Sequence, residues 1–195
     1  MLPKILITGV AGVGKTTIAA HSLLHDKGFK HFAIGENMIE IGKDLGILNK
    51  PEDINSISLE SRKQLQGQVV EEMLTLNRGK AVLVDGHIMV DSESGFVPGI
   101  QFDMIEKCSF DAIIVVRGEV EDIIRQRQRN TTRYMHSIST EDHIKIYQEL
   151  VSSSALLFSM QGYLSLHFVN NKYDEIENSV NQVLEIANQI LQRNW

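Results

Sequence analysis

The sequence predicts a doubly wound α/β fold, with about five parallel strands and helices on both faces of the sheet. Three features point to it. Short, continuous apolar runs alternate with longer stretches of helical periodicity. A glycine-rich turn joins the first apolar run directly to the first helical stretch. The 195 residues, 43% hydrophobic and 23% charged, suit one ordinary globular core spanning 1–195 as a single domain.

Taken in order, Lys4–Gly9 reads as a buried strand because Ile5, Leu6 and Ile7 run together and end at glycine. A helix is expected from about Gly14 to His25, and a second short strand over His31–Gly35. Glu36–Leu45 places Met38, Ile41 and Leu45 at helical spacing, and Gly46 ends it. Pro51 and its polar neighbours read as a loop. Ser58–Asn77 carries Leu65, Val69, Met73 and Leu76 on one helical face, with Arg78-Gly79 as a stop. Ala81–Val84 and Ala112–Val116 are the uninterrupted runs expected of strands covered on both faces. Glu119–Gln128 is expected to be helical and Arg129–Ser139 irregular. Thr140 caps a long helix to Gly162, Tyr163–Val169 supplies a last strand, and Tyr173–Gln192 a closing helix. Strands alternating with helices imply right-handed crossovers.

A formal net charge of −6 argues against nucleic acid or an anionic membrane as a general partner. Cys108 is the only cysteine, which excludes an intrachain disulfide and a CxxC pair. Met1-Leu2-Pro3-Lys4 leads straight into a strand without the apolar region of a signal peptide. No stretch approaches the ~20 apolar residues of a membrane span. The expected setting is the cytoplasm.

Chemistry concentrates first in Gly9-Val10-Ala11-Gly12-Val13-Gly14-Lys15-Thr16, followed by Thr17, which matches GxxxxGK[ST] between a strand and a helix. Glycines at these places let backbone N–H groups turn toward phosphate oxygens, and the helix amino end favours their charge. Lys15 would neutralise β- and γ-phosphates, and the Thr16 hydroxyl would sit on Mg²⁺. Asp85 ends a buried run at the carboxyl edge of the sheet. It reads either as a second group for Mg²⁺ or the acceptor phosphate, or as a strand-end carboxylate capping the next turn. His87, two residues on, reads as a phosphate or water contact or as a structural hydrogen bond. His21 and His25, four apart on a helix, lack the partners of a metal site. Arg117, Arg125, Arg127, Arg129 and Arg133 crowd one span of an acidic chain, and a lid over residues 127–139 would bring positive charge to a transferring phosphoryl group. Positions 125, 127 and 129 cannot all face one way on a helix. Arg129 and Arg133 form the best pair.

These motifs, in this order, resemble the archaeal-type adenylate kinases over nearly the whole chain. The resemblance rests on Thr8–Thr17, Ile34-Gly35-Glu36-Asn37-Met38, Leu59-Glu60 through Leu65-Gln66, Val84-Asp85-Gly86-His87, Gly95-Phe96-Val97-Pro98-Gly99 and Arg129-Asn130-Thr131-Thr132-Arg133. It implies a P-loop kinase architecture with a short arginine lid, and phosphoryl transfer from ATP to AMP with Mg²⁺. It also implies a homotrimer, and an acceptor-side helical region over residues 35–76. By position, Gly35, Asp85 and His87 would line the monophosphate site, Arg129 and Arg133 would close over the phosphates, and Asn170 would lie near adenine. Where the family carries an Arg-Asp-x-Met-Arg segment, this chain has Pro51-Glu52-Asp53-Ile54-Asn55, which leaves Arg62 as the candidate acceptor arginine. Tyr134-Met135 replaces a further lid arginine. Two other readings stand beside this one: a P-loop kinase for a different small acceptor, and a nucleotide-dependent ATPase or switch that engages a partner.

Overall fold

Continuous apolar runs become the centre of a parallel sheet. In the computed structural model, which describes residues 2–25, 28–76, 80–92, 95–129 and 140–192, the chain runs in the following order. Strand β1 (Lys4–Gly9) leads to α1 (Lys15–His25), β2 (Phe29–Ala33) and α2 (Ile34–Asp44), then through a 3-10 turn (Pro51–Asn55) to α3 (Leu59–Leu76) and β3 (Ala81–Asp85). A hairpin of β4 (Met89–Ser92) and β5 (Gly95–Pro98) precedes α4 (Phe102–Cys108), β6 (Ala112–Gly118) and α5 (Val120–Arg129). The chain ends with α6 (Glu141–Gly162), β7 (Ser165–Asn171) and α7 (Ile176–Gln192). Five strands pair in parallel in the order β2-β3-β1-β6-β7, and β4 and β5 form a separate antiparallel pair. Helices α1 and α7 pack together, and α3, α4 and α6 form a second group. The result is the doubly wound sheet with helices on both faces.

Every residue of β1 and β3 is buried, which is why their sequences show no polar alternation. Registers place Ile7 opposite both Asp85 of β3 and Ile114 of β6, so β1 lies at the middle of the sheet. Thr140 caps α6 as expected, its hydroxyl accepting from the His143 amide at 3.4 Å. No helix among the described residues is long and apolar enough to cross a membrane.

Several boundaries differ from the sequence reading. The second strand starts at Phe29 and ends at Ala33, because its pairing partner β3 ends at Asp85; Ile34 already belongs to a helix. Pro51–Asn55 is a 3-10 turn, braced by Asp53 Oδ2, which accepts from the amides of Asn49 and Lys50 at 3.0 and 3.1 Å. The sequence reading contains neither the hairpin nor α4, since four-residue strands without a buried position and a seven-residue helix are too short for a periodicity. The hairpin is pinned to α6 by His143 Nε2 on Asp91 Oδ2 and by the Tyr147 hydroxyl donating to the Met89 carbonyl, both at 2.8 Å. The last strand runs two residues further than expected, to Asn171. Of the expected lid, residues 127–129 close α5; residues 130–139, with Arg133, lie outside the described residues.

Candidate active site

The site forms where β1 and β3 end and α1 begins. β1 is clamped on both edges by hydrogen-bonded neighbours, so the loop that follows starts from a fixed position. Gly12 and Gly14 then adopt φ of +88° and +96°, a region costly for residues with a Cβ. Such a run of glycine conformations turns successive amides into one concavity suited to an anion. Lys15, the first residue of α1, is buried, and its ammonium donates to the Val10 carbonyl at 3.2 Å.

Thr16 follows on the same helix turn. Its hydroxyl donates to Asp85 Oδ2 at 2.6 Å, joining α1 to the end of β3. Asp85 is only 7% exposed, and His31 Nε2 of the neighbouring β2 lies 4.0 Å from the same oxygen. A hydroxyl and a carboxylate side by side form the hard oxygen set that Mg²⁺ prefers, so these residues fit the ion that the fold family implies. His87 Nδ1 lies 3.1 Å from the Gly9 carbonyl. A carbonyl can only accept, so Nδ1 is the protonated ring nitrogen.

Two side chains that the sequence reading did not select reach the loop. Asn171, at the end of β7, donates from Nδ2 to the Val13 carbonyl at 2.9 Å and accepts from the Ser179 hydroxyl of α7 at 2.9 Å. Asn170, the residue expected near adenine, is exposed and points to the opposite face of the strand from Asn171. The second is Arg127, 2% exposed, whose Nε donates to the Ala11 carbonyl at 3.0 Å and whose stem lies over Gly12.

The arginines of α5 therefore divide as helix geometry demands. Arg125 and Arg129, four apart, place their guanidiniums 5.1 and 4.8 Å from the centroid of the Tyr173 ring. Arg127 faces the loop. A clue was present in the sequence: Ile123, also buried, lies four residues before Arg127, so the arginine occupies an inward position of the helix.

Between the loop and α5 opens a cavity of about 240 Å³, lined by Gly12, Gly14, Thr17, Asp122, Gln126 and Tyr173 among others. Asp122 shapes its rim, accepting from the Tyr173 amide at 3.2 Å and pairing with Arg125 at 3.5 Å. On the expected acceptor side, Gly35 is the exposed second residue of α2, with open space where a Cβ would stand. Arg62 of α3 donates to the Ile54 carbonyl at 2.8 Å, and burial lowers its guanidinium pKa.

A glycine loop with Lys-Thr at a helix start and a carboxylate from the adjacent parallel strand define a P-loop nucleotide-binding protein. The model of the AAA domain family matches residues 8–145, and the chain belongs to that family. An adenylate kinase from Pyrococcus abyssi is 27% identical over 184 residues, covering 93% of each chain. One from Methanopyrus kandleri is 22% identical over 182 residues, covering 93% of this chain and 95% of its own. A solved shikimate kinase from Acinetobacter baumannii, in complex with shikimate, has a TM-score of 0.64 at 14% identity, covering 99% of this chain and 97% of its own; that likeness is one of fold. Together these make the chain a P-loop kinase, a phosphotransferase.

Proposed function

We propose that this chain is an adenylate-kinase-like nucleoside monophosphate kinase that moves the γ-phosphoryl group of ATP to AMP. The observation that carries the reading is the 2.6 Å contact of Thr16 with Asp85 beside the buried Lys15, in a chain similar to adenylate kinases over 93% of its length. Mg²⁺ held by Thr16 and Asp85 would supply charge neutralisation on the transferring group. The protein's own part is positioning. Amides of residues 10–17 would bind the phosphates, with Lys15 exchanging the Val10 carbonyl for a phosphate oxygen, a stronger acceptor because it is charged. Arg127 holds the loop by its Ala11 contact, and Arg129 and Arg133 are proposed to close over the transferring group. Asp85, His87, Gly35 and Arg62 are proposed to face the acceptor.

A second reading keeps the donor site and changes the acceptor. It is favoured by Arg62, whose guanidinium donates to the Ile54 carbonyl, in a region where Pro51–Asn55 supplies no arginine. One experiment separates the two. ADP formation is followed with ATP alone and then with AMP, CMP, GMP, UMP or dTMP. Stimulation by AMP above the other monophosphates supports the first reading. A rate no higher with any monophosphate than with ATP alone rejects it, and a panel of hydroxyl-bearing metabolites then tests the second.

A further inference from the structure

The outer strand β2, Phe29-Lys30-His31-Phe32-Ala33, turns one imidazole toward the end of its neighbour β3. Residues two apart on a strand share a face. His31 lies beside Leu83 and Ala33 beside Asp85, so His31, Leu83 and Asp85 stand on one side of the parallel pair. The side chains of His31 and Asp85 are 17% and 8% exposed, and Nε2 of the ring comes to 4.0 Å from Asp85 Oδ2. That nitrogen is sealed from solvent and has no hydrogen-bond partner among the described residues. A buried polar atom left in this condition is costly, which points to another state of the protein in which it is bonded.

The carboxylate of Asp85 is the acceptor that this nitrogen faces. Its Oδ2 already accepts from the Thr16 hydroxyl at 2.6 Å. A bond from an imidazole N–H needs a separation of about 2.7–3.2 Å, so the gap to His31 is about 1 Å too wide. Aspartate rotates freely enough about its last bond to cover that distance. Such a rotation has a cause at this site. Where a cation shares the Thr16 and Asp85 oxygens, both turn toward it, and the hydroxyl alone no longer sets the plane of the carboxylate. Carboxylates that hold a metal are themselves held by hydrogen bonds from a further layer of residues, and losing such a partner costs roughly 10–100-fold in metal affinity.

We propose that His31 is a positioning residue for the divalent cation: its Nε2–H donates to Asp85 when Thr16 and Asp85 hold the ion, and this bond fixes the carboxylate toward it. The inference rests on the reading of Thr16 and Asp85 as the Mg²⁺ site and on nothing about the phosphoryl acceptor. The neutral ring in its Nε2–H form and the doubly protonated ring both supply the donor, so no change of charge is involved. His31 touches neither phosphate nor metal in this role. It acts through Asp85.

Calorimetric titration with the non-hydrolysable ATP analogue AMP-PCP, once with excess Mn²⁺ and once with EDTA, measures how far the metal tightens nucleotide binding. Mn²⁺ accepts the same oxygen ligands as Mg²⁺ and is paramagnetic. His31→Phe keeps a flat ring and removes the donor. It is expected to reduce the ratio of the two affinities about tenfold, while the affinity in EDTA stays within about twofold of wild type. His31→Gln, which restores an N–H donor, should recover most of that loss. In an Asp85→Asn background His31→Phe should cost nothing further, because the effect passes through the carboxylate. Circular dichroism checks the fold of each variant, and His31→Leu takes the place of His31→Phe if the latter does not fold. An unchanged ratio in the folded variant, an equal loss in EDTA, or His31→Gln no better than His31→Phe overturns the proposal. So does a metal-bonded nitrogen in the pulsed electron paramagnetic resonance spectrum of the Mn²⁺ complex that is lost in His31→Phe, since His31 is then a ligand. If Mn²⁺ does not tighten binding to wild type, or tightens it equally in Asp85→Asn, the metal site itself fails and the proposal with it. A ratio that depends on Asp85 and not on His31 leaves the site standing and removes His31 alone.

Discussion

Replacing Gly14 by alanine tests whether the loop is shaped by backbone conformation, by its contact with Asn171, or by both. Gly14 has φ of +96°, where a Cβ costs roughly 1–2 kcal/mol. That Cβ would also stand 2.6 Å from Asn171 Nδ2, well inside contact distance, so the amide must move. Moving it breaks its bonds to the Val13 carbonyl and the Ser179 hydroxyl, each worth about 0.5–1.5 kcal/mol. Gly14→Ala should therefore cost roughly 2–5 kcal/mol, and Asn171→Ala, which removes the same two bonds, about 1–3 kcal/mol. In the double variant the bonds are lost only once. Its cost should match that of Gly14→Ala alone, giving a coupling of about 1–3 kcal/mol. Urea denaturation with linear extrapolation measures all four corners of the cycle. If the two single costs add to within about 0.5 kcal/mol, the Asn171 contact is not what constrains the loop, and the reasoning fails.

Arg127→Met keeps most of the buried stem and removes the donor to Ala11. The loss of one hydrogen bond from a charged group, about 1.5–3 kcal/mol, should weaken binding of a fluorescent ATP analogue roughly 10- to 100-fold. Stability should change little, because the buried charge is removed together with its desolvation cost; an affinity within about twofold of wild type would exclude Arg127 from shaping the loop. At high pH, burial should destabilise the fold through two groups, Tyr147 and Cys108, each pushed up to about 12 from ordinary values of 10.0 and 9.0. Below pH 9 both are protonated in the folded and unfolded chains, and their contribution is fully present. Above it the unfolded chain releases protons that the folded chain keeps, so stability falls until pH reaches about 12, by at most ~1.4 kcal/mol per pH unit for each group. Cys108→Ala should delay the onset of that fall toward the ordinary tyrosine value, and an urea midpoint that stays flat over this range would contradict the burial argument.

Much of the fold was legible because its signals are local. Ile5-Leu6-Ile7, Ala81–Val84 and Ala112–Val116 are continuous only because both faces of those strands are covered, and that covering is what a doubly wound sheet provides. The phosphate loop was legible for a related reason. Gly12, Gly14, Lys15 and Thr16 act through their own backbone and a helix end only a residue away, so spacing along the chain is also spacing in space. The hairpin and α4 lacked enough length to impose a period.

The sequence by itself determined the class of fold, the loop and the presence of an arginine-rich segment. Tertiary structure decided which residues from distant parts of the chain meet that loop. Asn171 rather than Asn170 reaches Val13 because strand register sets the face, and Arg127 rather than its neighbours reaches Ala11 because helix rotation does. Asp85 meets Thr16 because β3 lies beside β1, an order that follows from the crossovers and from no single motif. Contacts between residues 69, 116 and 158 positions apart depend on how whole elements pack, and local composition carries no record of that.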